Sequence, residues 1–244
     1  MIKIQYLLTN YVLCGKINNV RIEVRYNLDV DFINRFAPMY VEAAKLTLVI
    51  GVIGTMLAAA VGLLCALAKY FKVPVFRQIA SVYIELSRNT PLIVQLFFLY
   101  FGLPKAGIRL SSEACGVIGL AFLGGSYMAE SFLSGLRSVK KIQIESAESL
   151  GMRRGQLMRY IIIPQAVSVS VPSICANVIF LLKETSVFSA VSLADLMYVA
   201  KDLIGMYYNT GEALVMLVVS YLVIILPISV LFSVLERRMK RARN

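Results

Sequence analysis

The chain has 244 residues, 59% of them hydrophobic and 16% charged, and 25 Lys and Arg against 14 Asp and Glu give a net charge of +11. Soluble domains carry about 25% charged residues, so this composition excludes an ordinary soluble globular domain. With no histidine the commonest metal ligand and general base is missing, and no Gly-x-x-x-x-Gly-Lys loop is available to hold a nucleotide's phosphates.

At the N-terminus, Lys3 followed by an apolar stretch to Leu8 resembles the start of a signal peptide. Thr9 and Asn10 interrupt it, and no small-residue cleavage site follows. Residues 1–39 are therefore expected to form an extension outside the membrane. Residues 46–68 are an uncharged run that satisfies the roughly 20 helical residues needed to cross a bilayer core. Gly54, Ala58 and Gly62 stand one turn apart on it, a spacing that suits close helix contact in lipid, either within this chain or with a second chain.

A second span is expected over residues 89–104, prolonged backwards through the partly polar residues 78–88. There Asn89 or Thr90 is placed to cap a helix beginning at Pro91. The third span, residues 114–136, holds Gly116, Gly119, Gly124, Gly125 and Ala129 and one acid, Glu130. An ionisable group inside a span is a functional suspect; lying near one end, Glu130 is read first as structural, paired toward Arg137 or a neighbouring chain, and second as part of a path.

Residues 138–160 are the longest polar interruption, with helix formers up to Gly151. Ala147, Leu150 and Met152 lie among Glu145, Glu148, Arg153 and Arg154, which predicts a short amphipathic helix. Gly151 then ends it in the left-handed conformation, and Arg153 and Arg154 begin a second helical piece. The fourth span, residues 160–182, contains Pro164 and Pro172, each of which removes a backbone donor and invites a kink. Lys183, Glu184 and Ser186 follow as a charged break, in which a zwitterion's carboxylate meets Lys183 and its ammonium meets Glu184. An interfacial salt bridge between the two is the plainer reading. Residues 192–204 read as a short helix with Ser192 and Asp195 as a capping box. A fifth span, residues 213–235, and a basic tail, residues 239–244, complete the chain.

The basic residues cluster between spans one and two, between three and four, and after span five. The positive-inside rule then places the C-terminus in the cytoplasm and the N-terminus outside. The net charge is topological, so no nucleic-acid partner is expected. Cys14, Cys65, Cys115 and Cys175 show no paired spacing. The fold class is all-α: a polytopic membrane protein of about five spans with a cytoplasmic helix for docking.

Three stretches carry a family resemblance. Glu145-Ser146-Ala147, Gly151 and Pro164-Gln165-Ala166 resemble the EAA loop of ABC importer permeases, with serine at the family's first alanine. Arg88-Asn89-Thr90-Pro91-Leu92 is similar to the Arg-Gly-Thr-Pro-Leu region of polar amino-acid permeases of the histidine and glutamine type, with Asn89 at the common glycine. Residues 181–186 resemble that family's Leu-Leu-Lys-(Asp/Glu)-Thr-Ser element, which lies along the translocation path. The resemblance covers residues 40 to about 238. It implies a type I importer permease in the bacterial cytoplasmic (inner) membrane, working as a homo- or heterodimer by alternating access. Its implied partners are ABC ATPase subunits, an extracytoplasmic amino-acid-binding protein and membrane lipid. Such a chain is a transport subunit and not an enzyme; it holds no cofactor, ATP and Mg being bound by the partner ATPase. Glu145, Ala147, Leu150, Gly151, Arg153 and Arg154 are then the coupling residues, and Lys183, Glu184 and Ser186 the substrate path. Pro164 and Pro172, like Glu130, are structural or path residues. A gradient-driven secondary transporter or channel is the rival reading, favoured by the ionisable groups within the spans but without an evident inverted repeat.

Overall fold

A computed structural model describes residues 11–17, 20–26 and 28–243. The signal-like residues 3–10 lie outside the described residues. Strands Tyr11–Ile17 (β1) and Val20–Tyr26 (β2) pair antiparallel, Tyr11 opposite Tyr26 and Ile17 opposite Val20; the sequence reading had assigned no structure there. Everything after them is helical. The helices are α1 (Val30–Tyr70), α2 (Pro74–Arg88), α3 (Leu92–Ala106), α4 (Ser112–Arg137), α5 (Lys141–Ser149), α6 (Arg154–Val191), α7 (Leu196–Tyr207) and α8 (Thr210–Arg243).

Among the described residues, α1, α4, α6 and α8 are long and apolar enough to cross a membrane, while α3 is shorter. The expected second span is thus two helices meeting at Asn89–Pro91. The residues at that break do not work as the sequence suggests. Asn89 Nδ2 donates to Glu85 O at 2.8 Å and Thr90 Oγ1 to Leu86 O at 2.8 Å, so both close the C-terminus of α2. Helix α3 begins after Pro91 with no side-chain cap. Gln95 Nε2 bridges the gap, donating to Ser87 O and Thr90 O. Backbone groups freed inside a membrane need such protein partners because water is absent.

Helix α4 is the central element, and its small residues explain why. Built Cβ atoms show the closeness: one on Gly54 of α1 would lie 2.7 Å from Leu120 Cβ, and one on Gly62 would lie 2.8 Å from the backbone N of Ala129. On its other faces, Gly119 receives Leu96 of α3 and Gly124 receives Leu181 of α6. The small-residue stripe of α1 is therefore spent on packing within this chain. Serines add hydrogen bonds between helices: Ser87 Oγ donates to Phe122 O at 2.8 Å, and Ser131 and Ser173 hydroxyls meet at 2.7 Å. Asn177 Nδ2 donates to Ser131 Oγ at 2.8 Å. Such bonds average about 0.6 kcal/mol in membranes, so close packing is the larger contribution.

The buried residues form three layers. Phe32, Phe36, Tyr40, Leu203 and Met216 make one beside the N-terminal end of α1, Leu96, Leu120, Leu181 and Phe188 the middle one, and Leu136, Ala147, Leu157 and Ala166 one beside α5. Tyr40 Oη ties α1 to α8 by donating to Ala213 O at 2.8 Å.

Along α6 the expected kinks take a specific form. A π-helical turn over Met158–Ile162 precedes Pro164, and Pro172 lies inside the α-helical stretch that follows. A wide turn placed just before a proline accommodates its missing N–H. The short helix after α6 starts at Leu196, not Ser192: Ser192 has a left-handed φ of 57° and ends the preceding turn, and Asp195 alone is the N-cap, accepting from Tyr198 N at 3.0 Å.

Because the built Cβ on Gly62 meets backbone, Gly62→Val is expected to destabilise the purified protein by about 1–3 kcal/mol, the usual cost of overpacking. Gly205, with nothing within 4 Å of its built Cβ, is the control: thermal unfolding in detergent should show Gly205→Ala unchanged or higher and Gly62→Val clearly lower.

Candidate functional site

The loop between α4 and α6 is a rigid unit. Helix α5 ends in a paired turn: Met152 N donates to Ala147 O at 3.1 Å and Gly151 N to Glu148 O at 2.9 Å. Gly151 holds φ +80° there, the left-handed geometry this pair of bonds requires. Ala147 is buried against Leu136, Leu157 and Ala166, whereas Leu150 is 83% exposed and Ile142 64%. An apolar anchor faces inward and two large apolar side chains face outward. Glu145 is exposed and pairs with Lys141 at 2.8 Å, contributing only a few tenths of a kcal/mol. Gln156 Oε1 accepts from Arg153 N at 2.9 Å and starts α6; the arginine side chain has no acceptor to complete a reciprocal cap. Arg153 and Arg154 are exposed at a helix N-terminus, where positive charge opposes the helix dipole.

Depth along α4 locates the remaining charged residues. At about 1.5 Å per residue, the helix is about 39 Å long, and Phe122 and Ser126 lie about 15 and 21 Å from its N-terminal end. Leu181 packs on Gly124, so Lys183, one short step closer to that end, sits at about 15 Å by the same rise, well inside the length of α4. Lys183 is exposed and Glu184 and Ser186 half-buried. No ion pair joins Lys183 to Glu184 among the described residues, so the interfacial salt bridge is not formed. Thr185, between them and Ser186, is fully buried.

Glu130 does pair, but with Lys69 of α1 at 3.6 Å. Arg137, the partner suggested by sequence, is two turns further along the same helix, while Lys69 comes alongside because α1 runs parallel to α4, Gly54 meeting Leu120 and Gly62 meeting Ala129 on the way. This pair borders a polar cavity of about 380 Å³ lined by Lys69, Glu85, Arg88, Asn89, Tyr127 and Glu130. Arg88 lays its guanidinium 5.3 Å from the Tyr127 ring centre. In the sequence Arg88 serves only as a family mark, and Asn89 as that and as a candidate helix cap. The charge of Arg88 beside a break in an otherwise apolar stretch was the signal available. Exposed charge at mid-membrane depth costs about 2.5–3.5 kcal/mol or more against lipid, so this face meets water or protein.

Comparison with known proteins gives this chain a family. Residues 58–241 match the family described as the binding-protein-dependent transport system inner membrane component. The chain belongs to this family. The permease is 33% identical over 205 residues to the glutamine transport system permease protein GlnP of Escherichia coli (strain K12), covering 83% of this chain and 94% of that one. It is 30% identical over 204 residues to the probable glutamine ABC transporter permease protein GlnM of Bacillus subtilis (strain 168), covering 84% and 94%. A solved amino acid ABC transporter with histidines superimposes with TM-score 0.81 at 33% identity, covering 87% of this chain and all of that one. The permease is thus a multi-pass inner-membrane transport subunit and not an enzyme, of the type I importer fold.

Asp195 is fully buried, with Oδ2 unpartnered among the described residues. It lies in the connection between the last two spans, where burial pushes its carboxyl up to about 6. A carboxyl raised above its unfolded value of about 3.9 favours folding when protonated, so stability falls as pH rises through 6. Thermal unfolding of the permease should show that decline, D195N should flatten it while keeping the cap, and Asp195→Ala should lose about 1 kcal/mol of capping.

Proposed function

We propose that this permease is the membrane subunit of an ATP-driven amino-acid uptake system, carrying its substrate by alternating access. The similarity to glutamine and amino-acid permeases over most of the chain supports the substrate class. The observation that carries the coupling part is the α5 turn, which buries Ala147 and leaves Leu150 and Ile142 exposed. Two exposed apolar residues and two dipole-opposed arginines contribute little to this chain alone, which supports their use by a partner. That partner is an ABC ATPase subunit, with ATP and Mg bound there. Residues 40–238 then form the permease domain, with residues 138–160 as its coupling loop, after an extracytoplasmic segment, residues 1–39, and before a basic cytoplasmic tail, residues 239–244. The helix α1 runs through the first of these boundaries.

A second permease chain, identical or paralogous, completes the path, and an extracytoplasmic binding protein supplies the amino acid. The N-terminus lies outside and the C-terminus inside, consistent with the basic connections. Lys183, Glu184 and Ser186 meet the substrate in the outer half, where an unpaired lysine and a nearby carboxylate suit a zwitterion. ATP acts only by binding one conformation better than the other.

Co-purification with the ATPase subunit tests the coupling. Gly151→Asp, which has no easy access to φ +80°, and Glu145→Lys are expected to lose the ATPase while the permease remains folded; retention of both ATPase and coupled hydrolysis favours a gradient-driven transporter. For the path, Lys183→Ala and Glu184→Ala in a reconstituted complex should lower uptake at least tenfold, about 1.4 kcal/mol; unchanged affinity and rate remove these residues from it.

A further inference from the structure

A groove of about 390 Å³ lies between α1, α4 and α6, on the face of α4 roughly opposite Tyr127 and Glu130. Leu63 and Leu67 of α1, Phe132 and Leu136 of α4, and Ile163 and Val167 of α6 form its walls, each pair one turn apart. It follows α6 as far as Ile174, about 16 Å from Ile163 by helical rise. Ser170 alone brings a hydroxyl to the lining, and that hydroxyl is taken up by donating to Ser131 O at 3.1 Å. Polar groups buried without partners are costly, so such a groove suits a hydrocarbon chain and not an amino acid. Its end nearest α5 is of another kind. Arg159 stands one turn before Ile163 and two before Val167 on the exposed stripe of α6. Tyr160 lies beside it, the guanidinium 5.8 Å from the ring centre, and Phe71 is exposed one turn beyond Leu67. Arg159 has no ion-pair partner among the described residues. No acidic residue occurs between Glu148 and Glu184, whereas Arg153 and Arg154 precede Arg159. Aromatic rings and a long basic side chain at the end of an apolar stripe mark a headgroup boundary.

We propose that this groove is a binding site for one anionic glycerophospholipid, with an acyl chain lying along α6 from Ile163 toward Ile174 and the phosphate held by Arg159. Basic residues at the mouth of a pocket between spans are the form that sites for anionic headgroups take. Charge decides between occupants: an apolar helix of a second chain would cover the groove and leave Arg159 without an anion. The acyl chain packs on Leu136 and Ala166, which also hold Ala147 of α5, so the lipid braces the layer under the docking turn. Only the choice of leaflet, the cytoplasmic one, rests on the orientation proposed above.

The test uses the full-length permease, purified in a mild detergent with the subunits that accompany it and stripped of lipid. It is titrated with palmitoyl-oleoyl phosphatidylglycerol or with the matching phosphatidylethanolamine, and bound lipid is counted by native mass spectrometry. A single phosphatidylglycerol is expected to bind about fivefold more tightly than phosphatidylethanolamine, the weight of one basic residue near an anionic headgroup. R159Q should bring the two lipids to equal affinity, while R159K keeps the preference. Val167→Trp, which fills the groove from an exposed position, should remove the site, and Val223→Trp on the exposed face of α8 should leave it intact. Glycerol phosphate, a headgroup without a chain, should not displace the lipid. Equal binding of the two lipids to the parent, a preference unchanged in R159Q, unchanged binding in Val167→Trp, or displacement by glycerol phosphate overturns the proposal. If Val167→Trp does not assemble, the two lipids on the parent and on R159Q decide it alone. Retention of the ATPase in the same preparations reports separately on the uptake reading: its absence with the lipid preference intact counts against that reading only.

Discussion

The close approach of α1 to α4 is the constraint on which the rest of the structure depends. Gly54 and Gly62 leave no room for a Cβ against Leu120 and the α4 backbone. In lipid there is no hydrophobic gain from bringing two apolar helices together, so the association depends on contact area and on hydrogen bonds. Glycine supplies the contact by removing side chains from between the backbones. Helix α4 repeats the device on its other faces, admitting Leu96 at Gly119 and Leu181 at Gly124. One helix thereby holds α1, α3 and α6 in fixed relation, and α2 joins through Ser87.

That arrangement decides where polar groups can sit. With α4 packed so tightly at its middle, the cavity opens only where α2 ends and α3 has not begun. The break at Asn89–Pro91 would be costly in lipid, since each unsatisfied backbone group there costs several kcal/mol. It is tolerated because Asn89, Thr90 and Gln95 satisfy the freed carbonyls locally. The chain spends three polar side chains on keeping the break closed to lipid, and the charged residues beside it face the cavity.

Much of this was legible in the sequence. Uncharged runs marked the long spans because lipid forbids unpaired charge, and Gly151 marked the turn because few other residues accept φ +80°. What sequence could not settle were choices between equally good local partners. Asn89 and Thr90 suit either the end of one helix or the start of the next; Pro91, which forces the preceding residue out of the helical region, leaves them with the carbonyls behind. Ser192 and Asp195 both suit an N-cap, and the left-handed turn at Ser192 gives the role to Asp195. Glu130 had Arg137 in view along the chain, but its partner Lys69 comes from a helix more than sixty residues away. The cavity at Arg88 was hidden for the same reason, because its walls come from α1, α2 and α4 together.

The buried layer beside α5 and the cavity share α4, and this gives a physical route between them. Tyr127 and Glu130 line the cavity, and two turns further on Leu136 packs with Ala147 of the α5 turn. A helix is stiff over so short a distance, and packed interiors shift between discrete arrangements more readily than they deform. Ala147 joins α5 to that layer, and the loop itself is held by paired backbone bonds at Gly151. A displacement of the exposed Leu150 surface therefore cannot be absorbed within the loop. It passes into Leu136 and Ala166, on the helices that carry Glu130 on one side and Lys183 on the other.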